Sequence, residues 1–498
     1  MRSPLPKAHS RLRLLTEWCI LAAAILLVVD TWLVTGLAVP ARVTSGSMAE
    51  TLLGPHCEVV CGDCGHRYVC GADFKPADSR TICPNCGFVG NDLGRQPDLD
   101  GDRLLIDKSA FRFRPPRRWQ IVAFRRPTHA RGIHVKRVVG LPGESVQIRD
   151  GNVYVDGQIQ RKTLPEQRAM AILVHDASAW PTLDPLPPPC WQGESDDTGW
   201  GSADGRFAHP SAAGRDDAED ESIDWLVYRH WRPIPAEMPA KMLANGRSDA
   251  SEAAAKTTAG AQVRFRDVPI TDACSYNQGW PRRHEDIHPV TELLVSLKPV
   301  KTLGPGGRLI IRTTDRRDEF LTRIDPSRSR YEVLHNGRPV PAAAGKLPEP
   351  IQGRTIVVSL FDQQYLLAID GQTIVCWPYY PQQRDASPAA HPLAIGSQGL
   401  GMVVGDLRIF RDIYYTHPIG HQGRWALSTP EQLGDGQYFV LGDNSPISKD
   451  SRCWPDGPAV EAGLLVGRPF LVHFPAQPVR WGDWRFQVPD PSRIRYIR

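Results

Sequence analysis

Ser45-Gly46-Ser47-Met48 is the stretch around which the rest of this chain is organised. It lies a few residues beyond an apolar segment, 17–39, that follows several basic residues, and roughly 20 apolar residues are enough to cross a bilayer. We predict a single transmembrane anchor at 17–39. The positive-inside bias then leaves 1–16 in the cytoplasm and all later residues on the outer side of the inner membrane. A cleaved signal peptide is the alternative, although no small-x-small site interrupts the segment before Ser45.

The composition narrows the fold class and the partners. A chain of 498 residues exceeds one ordinary hydrophobic core and indicates several modules. The net charge of +4 comes from 59 basic and 55 acidic residues without a concentrated basic stripe, which argues against nucleic-acid binding. The chain has 43 glycines and 45 prolines between short alternating apolar runs, so we predict a mainly β protein behind the N-terminal helix.

Four further stretches belong with the first one. They are Gly101-Asp102-Arg103-Leu104-Leu105-Ile106-Asp107-Lys108, Trp119-Gln120-Ile121-Val122-Ala123-Phe124-Arg125-Arg126-Pro127, His134-Val135-Lys136-Arg137-Val138-Val139-Gly140-Leu141-Pro142-Gly143 and Gly442-Asp443-Asn444-Ser445-Pro446-Ile447-Ser448-Lys449-Asp450-Ser451-Arg452. In this order, behind an apolar anchor, they resemble the conserved boxes of the type I signal peptidases, which are membrane-bound Ser-Lys endopeptidases. The resemblance implies a hydrolase that removes signal peptides from exported preproteins at the outer face of the membrane, without a catalytic cofactor.

The resemblance also assigns the catalytic roles. It makes Ser47 the nucleophile, Lys136 the general base and Ser448 the hydroxyl that orients the lysine. In this family the oxyanion donors are the nucleophile's own backbone N–H and the hydroxyl two residues earlier, here Ser45. The chemistry of the residues agrees, because a lysine can take a proton from a serine only if burial lowers its pKa towards neutrality. Lys136 lies among aliphatic residues on a predicted strand, where such burial is expected.

Some neighbouring positions support the family pattern and others depart from it. Asp450, Arg452 and Arg137 look like the family's supporting ion-pair residues. Glu50 stands where the family usually has proline, and Ser445 where it usually has arginine. These departures keep a second hypothesis open, a catalytically silent membrane-anchored protein that binds partners through its inserted domains.

A cluster of cysteines lies between the first two boxes. Six of the eleven fall within thirty residues, and two Cys-x2-Cys pairs among them predict a zinc ribbon at 57–90. The ligands of this structural zinc would be Cys61, Cys64, Cys83 and Cys86. Because an exported domain meets oxidising conditions, two alternatives remain open. Cys57 and Cys70 could form a disulfide beside the zinc, or all six cysteines could form three bridges.

The chain between the third box and the last one reads as an insertion. The alternation over 146–157 predicts a hairpin of the catalytic fold with an Asp-Gly turn, whereas 176–261 is rich in loop-forming residues and reads as a linker. Eight short strand candidates between 262 and 416 predict a β-sandwich, which loosely resembles laminin-G and concanavalin-like jelly rolls. Such a sandwich could bind a carbohydrate or a protein, with Trp377-Pro378-Tyr379-Tyr380 as the best candidate contact surface, or it could be a spacer.

These interpretations divide the chain into eight parts. In order, they are the cytoplasmic N-terminus 1–16, the anchor 17–39, the first catalytic part 40–56, the zinc ribbon 57–90, the second catalytic part 91–175, the linker 176–261, the sandwich 262–416 and the third catalytic part 417–498. The expected partners are exported preproteins and the lipid bilayer. The substrate would add as an extended strand beside the Ser45 segment, with shallow pockets for small side chains.

Overall fold

The computed structural model describes most of the chain. The described residues are 8–28, 35–126, 132–183, 187–210, 222–234, 252–256, 262–280, 286–303, 306–381, 391–420, 425–474, 476–481 and 484–497. Strands dominate them, as the composition predicts, and the α-helices are Ala8–Val28, Thr35–Leu37 and Leu164–Met170. The protein is therefore mainly β.

The N-terminal helix Ala8–Val28 covers about half of the predicted anchor 17–39, and its large apolar side chains are exposed. Residues 29–34 of that prediction lie outside the described part of the chain. Within the described residues, no helix combines the length and the apolar character needed to cross a membrane.

One antiparallel sheet unites the three predicted catalytic parts. Its strands, in spatial order, are Ala38–Arg42, Arg103–Asp107, Leu465–Phe474, Ile121–Arg125, Ile133–Gly140, Gln437–Leu441 and Ala459–Glu461, and Arg495–Tyr496 pairs at its side. Three of its neighbouring pairs join strands from the first and the last third of the chain. The fold thereby places the segment that follows Ala38–Arg42, the strand of Lys136 and the strand that leads to Gly442 in one structural unit.

Smaller β-elements complete the catalytic part. The predicted hairpin forms from Ser145–Arg149 and Asn152–Val155, with Asp150 and Gly151 at positive φ in its turn. The strands Gln158–Ile159 and Glu431–Gln432 extend it to four strands. A further hairpin joins Ala476–Trp481 to Trp484–Pro489.

The cysteine-rich region forms two short hairpins. They pair His56–Val60 with Arg67–Gly71, and Arg80–Thr81 with Asn91–Asp92. The buried side chains between them are mostly the six clustered cysteines, together with Val59, Tyr68 and Leu93. A core this small needs another source of stability, and a bound metal is the usual one.

The insertion folds as two packed eight-stranded antiparallel sheets. One contains Ile172–Asp176, Gly201–Ala203, Arg206–His209, Leu293–Leu303, Ile356–Ser359, Gln364–Ile369, Gln372–Pro378 and Gly401–Arg411. The other contains Trp191–Gly193, Asp224–Tyr228, Arg308–Thr314, Glu319–Asp325, Arg330–His335, Arg338–Pro339, Gly345–Lys346 and Leu393–Gln398. All eight predicted strand candidates are strands, and one large apolar core lies between the sheets.

The linker prediction for 176–261 is wrong at four strands between 191 and 228, which belong to the two sandwich sheets. Residues 184–186, 211–221, 235–251 and 257–261 of that prediction lie outside the described part of the chain. These strands have three to five residues each and are interrupted by turns. Their pairing with the long strand Gly401–Arg411 and with Leu393–Gln398 stabilises them, and a local sequence pattern does not contain that information. Trp231–Ile234, Glu252–Lys256 and Gln262–Asp267 form a separate three-stranded sheet.

The predicted aromatic contact surface is mostly core. Tyr379 is 3 % exposed and its hydroxyl donates a hydrogen bond to Asp315, while Trp377 packs against the sandwich core. Tyr380, at 78 % exposure, is the aromatic ring of this stretch that solvent can reach.

Candidate active site

Lys136 occupies the middle of the strand Ile133–Gly140, and its side chain is 4 % exposed. Burial lowers the pKa of its amine to about 8, and the negative charge of Asp450 opposes part of that effect. The amine donates a 2.9 Å hydrogen bond to Oγ of Ser448, which is fully buried. A lysine in this setting can exist as a neutral amine near physiological pH, as a general base must.

The residues around Lys136 account for its burial. The β-branched residues Val135, Val138 and Val139 favour a strand at this position. Lys136 pairs with Val122 on the neighbouring strand, and Val122 and Val138 belong to a buried apolar cluster. The amine thereby reaches the interior of the sheet and not its solvent side.

Ser47 lies in a single helical turn, Gly46–Met48, and is half-buried. The Oγ of Ser45, on the exposed side of this turn, donates a 3.3 Å hydrogen bond to Oγ of Ser47. The two hydroxyls therefore lie side by side. A carbonyl attacked by Ser47 would place its developing oxyanion within reach of the Ser45 hydroxyl.

The Gly442 box holds the serine turn and the lysine site together. The backbone N–H of Asn444 donates to the carbonyl of Ser47 at 3.1 Å, and its side-chain amide donates to the carbonyl of Gly46 at 2.9 Å. A Cβ placed on Gly442 would lie 2.2 Å from Oγ of Ser448 and 2.4 Å from the carbonyl oxygen of Ser47. Glycine is therefore required at 442, where the Ser47 turn and the lysine's partner approach each other from two sides.

Two buried ion pairs surround the site. Arg452 binds Asp450 through Nε at 2.8 Å and Nη2 at 2.7 Å, and Arg137 binds Asp443 through Nε at 2.8 Å and Nη2 at 2.6 Å. Burial raises the pKa of the Asp450 carboxyl, but the charge and hydrogen bonds of Arg452, the charge of Lys136 and the backbone N–H of Gly442 together outweigh it, and the net pKa lies below its ordinary value. Bidentate pairing of this kind fixes geometry. All four residues thus stiffen the backbone around Lys136 and Gly442.

Both departures from the family pattern are integrated into this packing. Ser445 accepts hydrogen bonds from Nη1 of Arg452 at 2.7 Å and from the backbone N–H of Thr416 at 2.9 Å. Glu50 accepts a 3.1 Å hydrogen bond from Oγ of Ser275, which belongs to the insertion. Both side chains are therefore hydrogen-bonded within the fold.

The four predicted zinc ligands also come together. The sulfur atoms of Cys61 and Cys86 are 3.7 Å apart, those of Cys64 and Cys83 are 3.8 Å apart, and all four lie within 4.8 Å of one another. Four sulfurs at about 2.3 Å from one zinc ion form a tetrahedron with edges of roughly 3.8 Å. The four side chains therefore fit a tetrahedral Zn²⁺.

The two Cys-x2-Cys turns share one design. In the first, Gly65 donates its backbone N–H to the carbonyl of Cys61, and in the second Gly87 donates to the carbonyl of Cys83. Both glycines have positive φ, at 70° and 84°. Hydrogen bonds from the neighbouring thiols lower the pKa of Cys61, which favours a thiolate in the cluster.

The structure contains neither of the two alternative disulfide arrangements, because all eleven cysteines are free. Cys57 and Cys70 lie opposite each other in their hairpin, but their thiols contact different acceptors. The Cys57 thiol donates to the carboxylate of Asp98 at 3.0 Å, and the Cys70 thiol to the carbonyl of Phe74 at 3.6 Å.

A second acidic group lies where the catalytic part meets the sandwich. Glu292, Asp362 and Asp412 are close enough to hold a cation, but the buried ammonium of Lys162 already contacts Asp362 at 2.6 Å and Asp412 at 2.8 Å. This lysine therefore compensates the carboxylate charge, and the cluster ties the sandwich to the catalytic part.

Sequence reasoning missed Tyr276, which contacts the serine turn, and Asn277, which acts on that turn through Asn444. Both lie in the insertion, outside every family box, and both are buried. No motif marks them, because their partners are at residues 44–55 and 444, far away along the sequence.

Two segments of the chain match a known protein family. Residues 95–187 and 410–474 match the family model for signal peptidase, peptidase S26. These two segments contain Lys136 and Ser448, and the sandwich lies largely between them. The predicted resemblance to type I signal peptidases is confirmed. The matched segments begin after Ser47, so the family model does not cover the serine itself.

Relatives of known name match short parts of the chain. A probable signal peptidase I-2 of Synechocystis sp. is 45% identical over 71 residues, 13% of this chain and 32% of the relative. Signal peptidase I of Leptolyngbya laminosa is 43% identical over 71 residues, which are 12% of this chain and 34% of the relative. Signal peptidase I V of Bacillus subtilis is 41% identical over 59 residues, which are again 12% of this chain and 34% of the relative. The chain thus spans about a third of the length of these relatives.

Solved structures resemble the chain weakly. One is a kappa-carrageenase from Pseudoalteromonas carrageenovora, solved with an oligosaccharide. The alignment covers 55% of this chain and 98% of the carrageenase chain, at 9% identity and a TM-score of 0.23. A galectin of Caenorhabditis elegans covers 24% and 80%, at 12% identity and a TM-score of 0.18. Scores of this size carry no argument about fold or ligand.

Proposed function

We propose that this protein is a serine endopeptidase of the signal peptidase I type, which cleaves N-terminal signal peptides from exported preproteins. The observation that carries the proposal is the buried amine of Lys136, with its pKa lowered to about 8, hydrogen-bonded to Ser448 beside the Ser47 turn. The match to the S26 family model on both sides of the insertion supports it.

The reaction follows from these groups. Neutral Lys136 accepts the proton of the Ser47 hydroxyl while Oγ forms a bond to the scissile carbonyl carbon. The Ser45 hydroxyl and the backbone N–H of Ser47 stabilise the resulting oxyanion. The lysine then gives its proton to the leaving amine as the peptide bond breaks. A water molecule, deprotonated by the same lysine, hydrolyses the acyl-enzyme and regenerates Ser47.

The sheet offers a place for an extended substrate. Ala38–Arg42 is the end strand of the catalytic sheet in the described part of the chain. The strand Ile133–Gly140 pairs with Gln437–Leu441 only from Arg137 onwards. Among the described residues, its first part, 133–136, is therefore paired along one edge, with the strand Ile121–Arg125. The substrate would add as a strand at one of these two edges, beside the Ser45 segment.

The wall of this region is apolar. Val43 and Val135 flank a cluster that contains Met48 and Ile121. A shallow apolar surface lined by such side chains admits small residues and excludes large ones. This supports our proposal that the cleavage site carries small residues at the first and third positions before the cut.

Location and zinc are further parts of the proposal. The basic residues before the apolar segment 17–39 support a single-pass inner-membrane protein with its catalytic part on the outer side. The tetrathiolate geometry supports one structural Zn²⁺ that takes no part in the reaction. The sandwich would serve as a binding domain for a carbohydrate or protein, or as a spacer.

Cleavage of a preprotein by the detergent-solubilised protein tests the activity. We expect the wild type to release a signal peptide at one bond, identified by mass spectrometry of both products, and Ser47→Ala and Lys136→Ala to release none while remaining folded. Full activity in either variant contradicts the Ser-Lys assignment. An inactive wild type favours the alternative of a catalytically silent binding protein, to which Glu50 and Ser445 point.

A further inference from the structure

A segment of the insertion reaches the serine turn. Asp272–Trp280, here called the bridge segment, lies between the strands Gln262–Asp267 and Leu293–Leu303. Its helical turn Ser275–Asn277 is buried, although it lies on the chain of the sandwich and not of the catalytic part. The insertion therefore contributes side chains to the neighbourhood of Ser47.

Asn277 pairs with Asn444 through both of their carboxamide groups. Nδ2 of Asn277 donates to Oδ1 of Asn444 at 2.6 Å, and Nδ2 of Asn444 donates to Oδ1 of Asn277 at 2.9 Å. The two side chains are 4 % and 3 % exposed. A reciprocal pair in a buried site holds both amides in one orientation, because rotation of either would leave polar atoms unsatisfied.

The orientation of Asn444 determines where the serine backbone lies. Its Nδ2 also donates to the carbonyl of Gly46, and its backbone N–H donates to the carbonyl of Ser47. The carbonyls of both residues of the Gly46-Ser47 pair are therefore held by one asparagine. Asn277 fixes the amide that makes the first of these contacts.

Tyr276 supports the same turn from the side. Its hydroxyl donates a 2.8 Å hydrogen bond to the carbonyl of Pro55, and its ring fills the space beside three glycines. A Cβ on Gly46 would lie 2.1 Å from the ring, one on Gly71 would lie 2.5 Å from it, and one on Gly54 would lie 2.8 Å from the hydroxyl. The glycines thus make room for the bridge segment against the serine turn.

The bridge segment is anchored at its other end to the zinc ribbon. The side chain of Gln278 accepts from the backbone N–H of Ile82 and donates to its carbonyl, both at 2.8 Å. The backbone N–H of Gly279 donates to the carbonyl of Phe74 at 2.7 Å. Asn277 is therefore held by contacts on either side and does not depend on Asn444 for its position.

From this geometry we infer that Asn277 is a positioning residue for the proposed hydrolysis. It acts through Asn444 to hold the Gly46-Ser47 turn in the conformation from which Ser47 attacks, so the sandwich insertion completes the active site. The inference rests on the proposed function, because it needs Ser47 to be the nucleophile. Small displacements of a nucleophile carry large penalties in rate, which is why an indirect contact of this kind matters.

Steady-state kinetics of preprotein cleavage test the role of Asn277. In Asn277→Ala we expect kcat to fall by roughly 10- to 100-fold, as for a misplaced reacting group, with KM nearly unchanged because no proposed substrate contact is lost. The pH below which kcat falls should be the same as in the wild type, since Lys136 is unchanged. Asn277→Asp, which keeps the side-chain volume but cannot donate to Oδ1 of Asn444, should show the same pattern.

A matched control separates positioning from general loss of stability. Gln167 is another buried carboxamide, 0 % exposed, which donates a 3.2 Å hydrogen bond from the helix Leu164–Met170 to the carbonyl of Lys162. Gln167→Ala should lower the melting temperature to a similar extent but leave kcat within about twofold of the wild type.

The outcomes distinguish the inference from the proposed function. Wild-type kcat in both Asn277 variants, or a higher KM with unchanged kcat, overturns the positioning role while the enzyme remains a peptidase. If Gln167→Ala loses as much kcat as Asn277→Ala, general destabilisation explains the loss and the inference is again wrong. A wild type that cleaves no preprotein, like Ser47→Ala, instead overturns the proposed function itself.

Discussion

The amine of Lys136 donates a 2.9 Å hydrogen bond to Oγ of Ser448, although 312 positions separate the two residues along the chain. Adjacent strands make this contact possible. Ile133–Gly140 carries the lysine, and Gln437–Leu441 next to it leads directly into the turn that carries Ser448. The whole sandwich is inserted between these two strands without separating them in space.

The lowered pKa of Lys136 predicts the pH dependence of cleavage. Because burial brings this pKa from 10.5 to about 8, the amine is mostly protonated below that pH and cannot accept a proton from Ser47. We expect kcat/KM to rise with pH and to level off above about 8. Measurement of kcat/KM across this range, with the unfolding midpoint recorded at each pH, checks the prediction. A rate that does not change across this range contradicts Lys136 as the base.

The same shift predicts a stability gain when the lysine is removed. Each unit of pKa corresponds to about 1.4 kcal/mol, so burying the charged amine costs up to about 3 kcal/mol at pH 7. Lys136→Met should therefore abolish cleavage and raise the free energy of unfolding. This gain is reduced by the free energy lost when the Ser448 hydroxyl no longer has the lysine as its hydrogen-bond donor. The gain should shrink as pH rises from about 8 to 10.5, because the unfolded lysine then loses its charge too. Urea unfolding at several pH values measures it.

Ser448 is expected to affect the rate more than the stability. Ser448→Ala removes the hydrogen-bond acceptor that orients the amine, and we predict a fall in kcat of about 100-fold, comparable to a misplaced base. Loss of this acceptor also disfavours the ammonium, so the acid limb should move to lower pH. Ser451→Ala is the control, because Ser451 is equally buried but bonds to the backbone N–H of Val440. Equal effects of the two variants would show that Ser448 has no special role.

The sequence predicted well wherever local pattern decides structure. The strand of Lys136, the Asp150-Gly151 hairpin and the eight strands of the sandwich all follow from alternation and turn residues. The two Cys-x2-Cys turns likewise gave the correct cluster, because four thiols at this spacing converge by local geometry.

The rest depends on contacts between distant residues. The short strands between 172 and 228 form because long sandwich strands pair with them, and their own sequence resembles a linker. The ring of Tyr276 is the steric reason for glycine at 46, and the sequence near Gly46 does not reveal it. Asn277 could not be found from the sequence, because nothing near it predicts that it meets Asn444.

The cysteine cluster predicts a stoichiometry. We expect purified protein to contain about one zinc per chain, as a tetrathiolate site holds one ion, and eleven titratable thiols after denaturation and metal removal. Cys83→Ser should lower both the zinc content and the melting temperature, because the ribbon core depends on the metal. Cys190→Ser, which changes a buried thiol outside the cluster, should keep the zinc. Fewer thiols together with no zinc would instead establish the disulfide alternative.

Gly46 should tolerate no side chain while Tyr276 is present. The added Cβ of Gly46→Ala would lie 2.1 Å from the tyrosine ring, so the serine turn must shift, and we expect a loss of activity of about 100-fold from displacement of Ser47. Overpacking of this kind also costs about 1–3 kcal/mol of unfolding free energy. Gly62→Ala is the control, because its nearest neighbour would be at 3.6 Å.

The double variant Gly46→Ala/Tyr276→Leu tests the cause of that loss. If the ring is what excludes a side chain at 46, replacing it should restore part of the activity and stability lost in Gly46→Ala, and the two substitutions should be strongly non-additive. Preprotein cleavage and urea unfolding of the two single variants and the double variant complete the cycle. Additive losses would mean that Gly46 is required for its own backbone conformation. Recovery would mean that the bridge segment of the insertion determines which residue can precede Ser47.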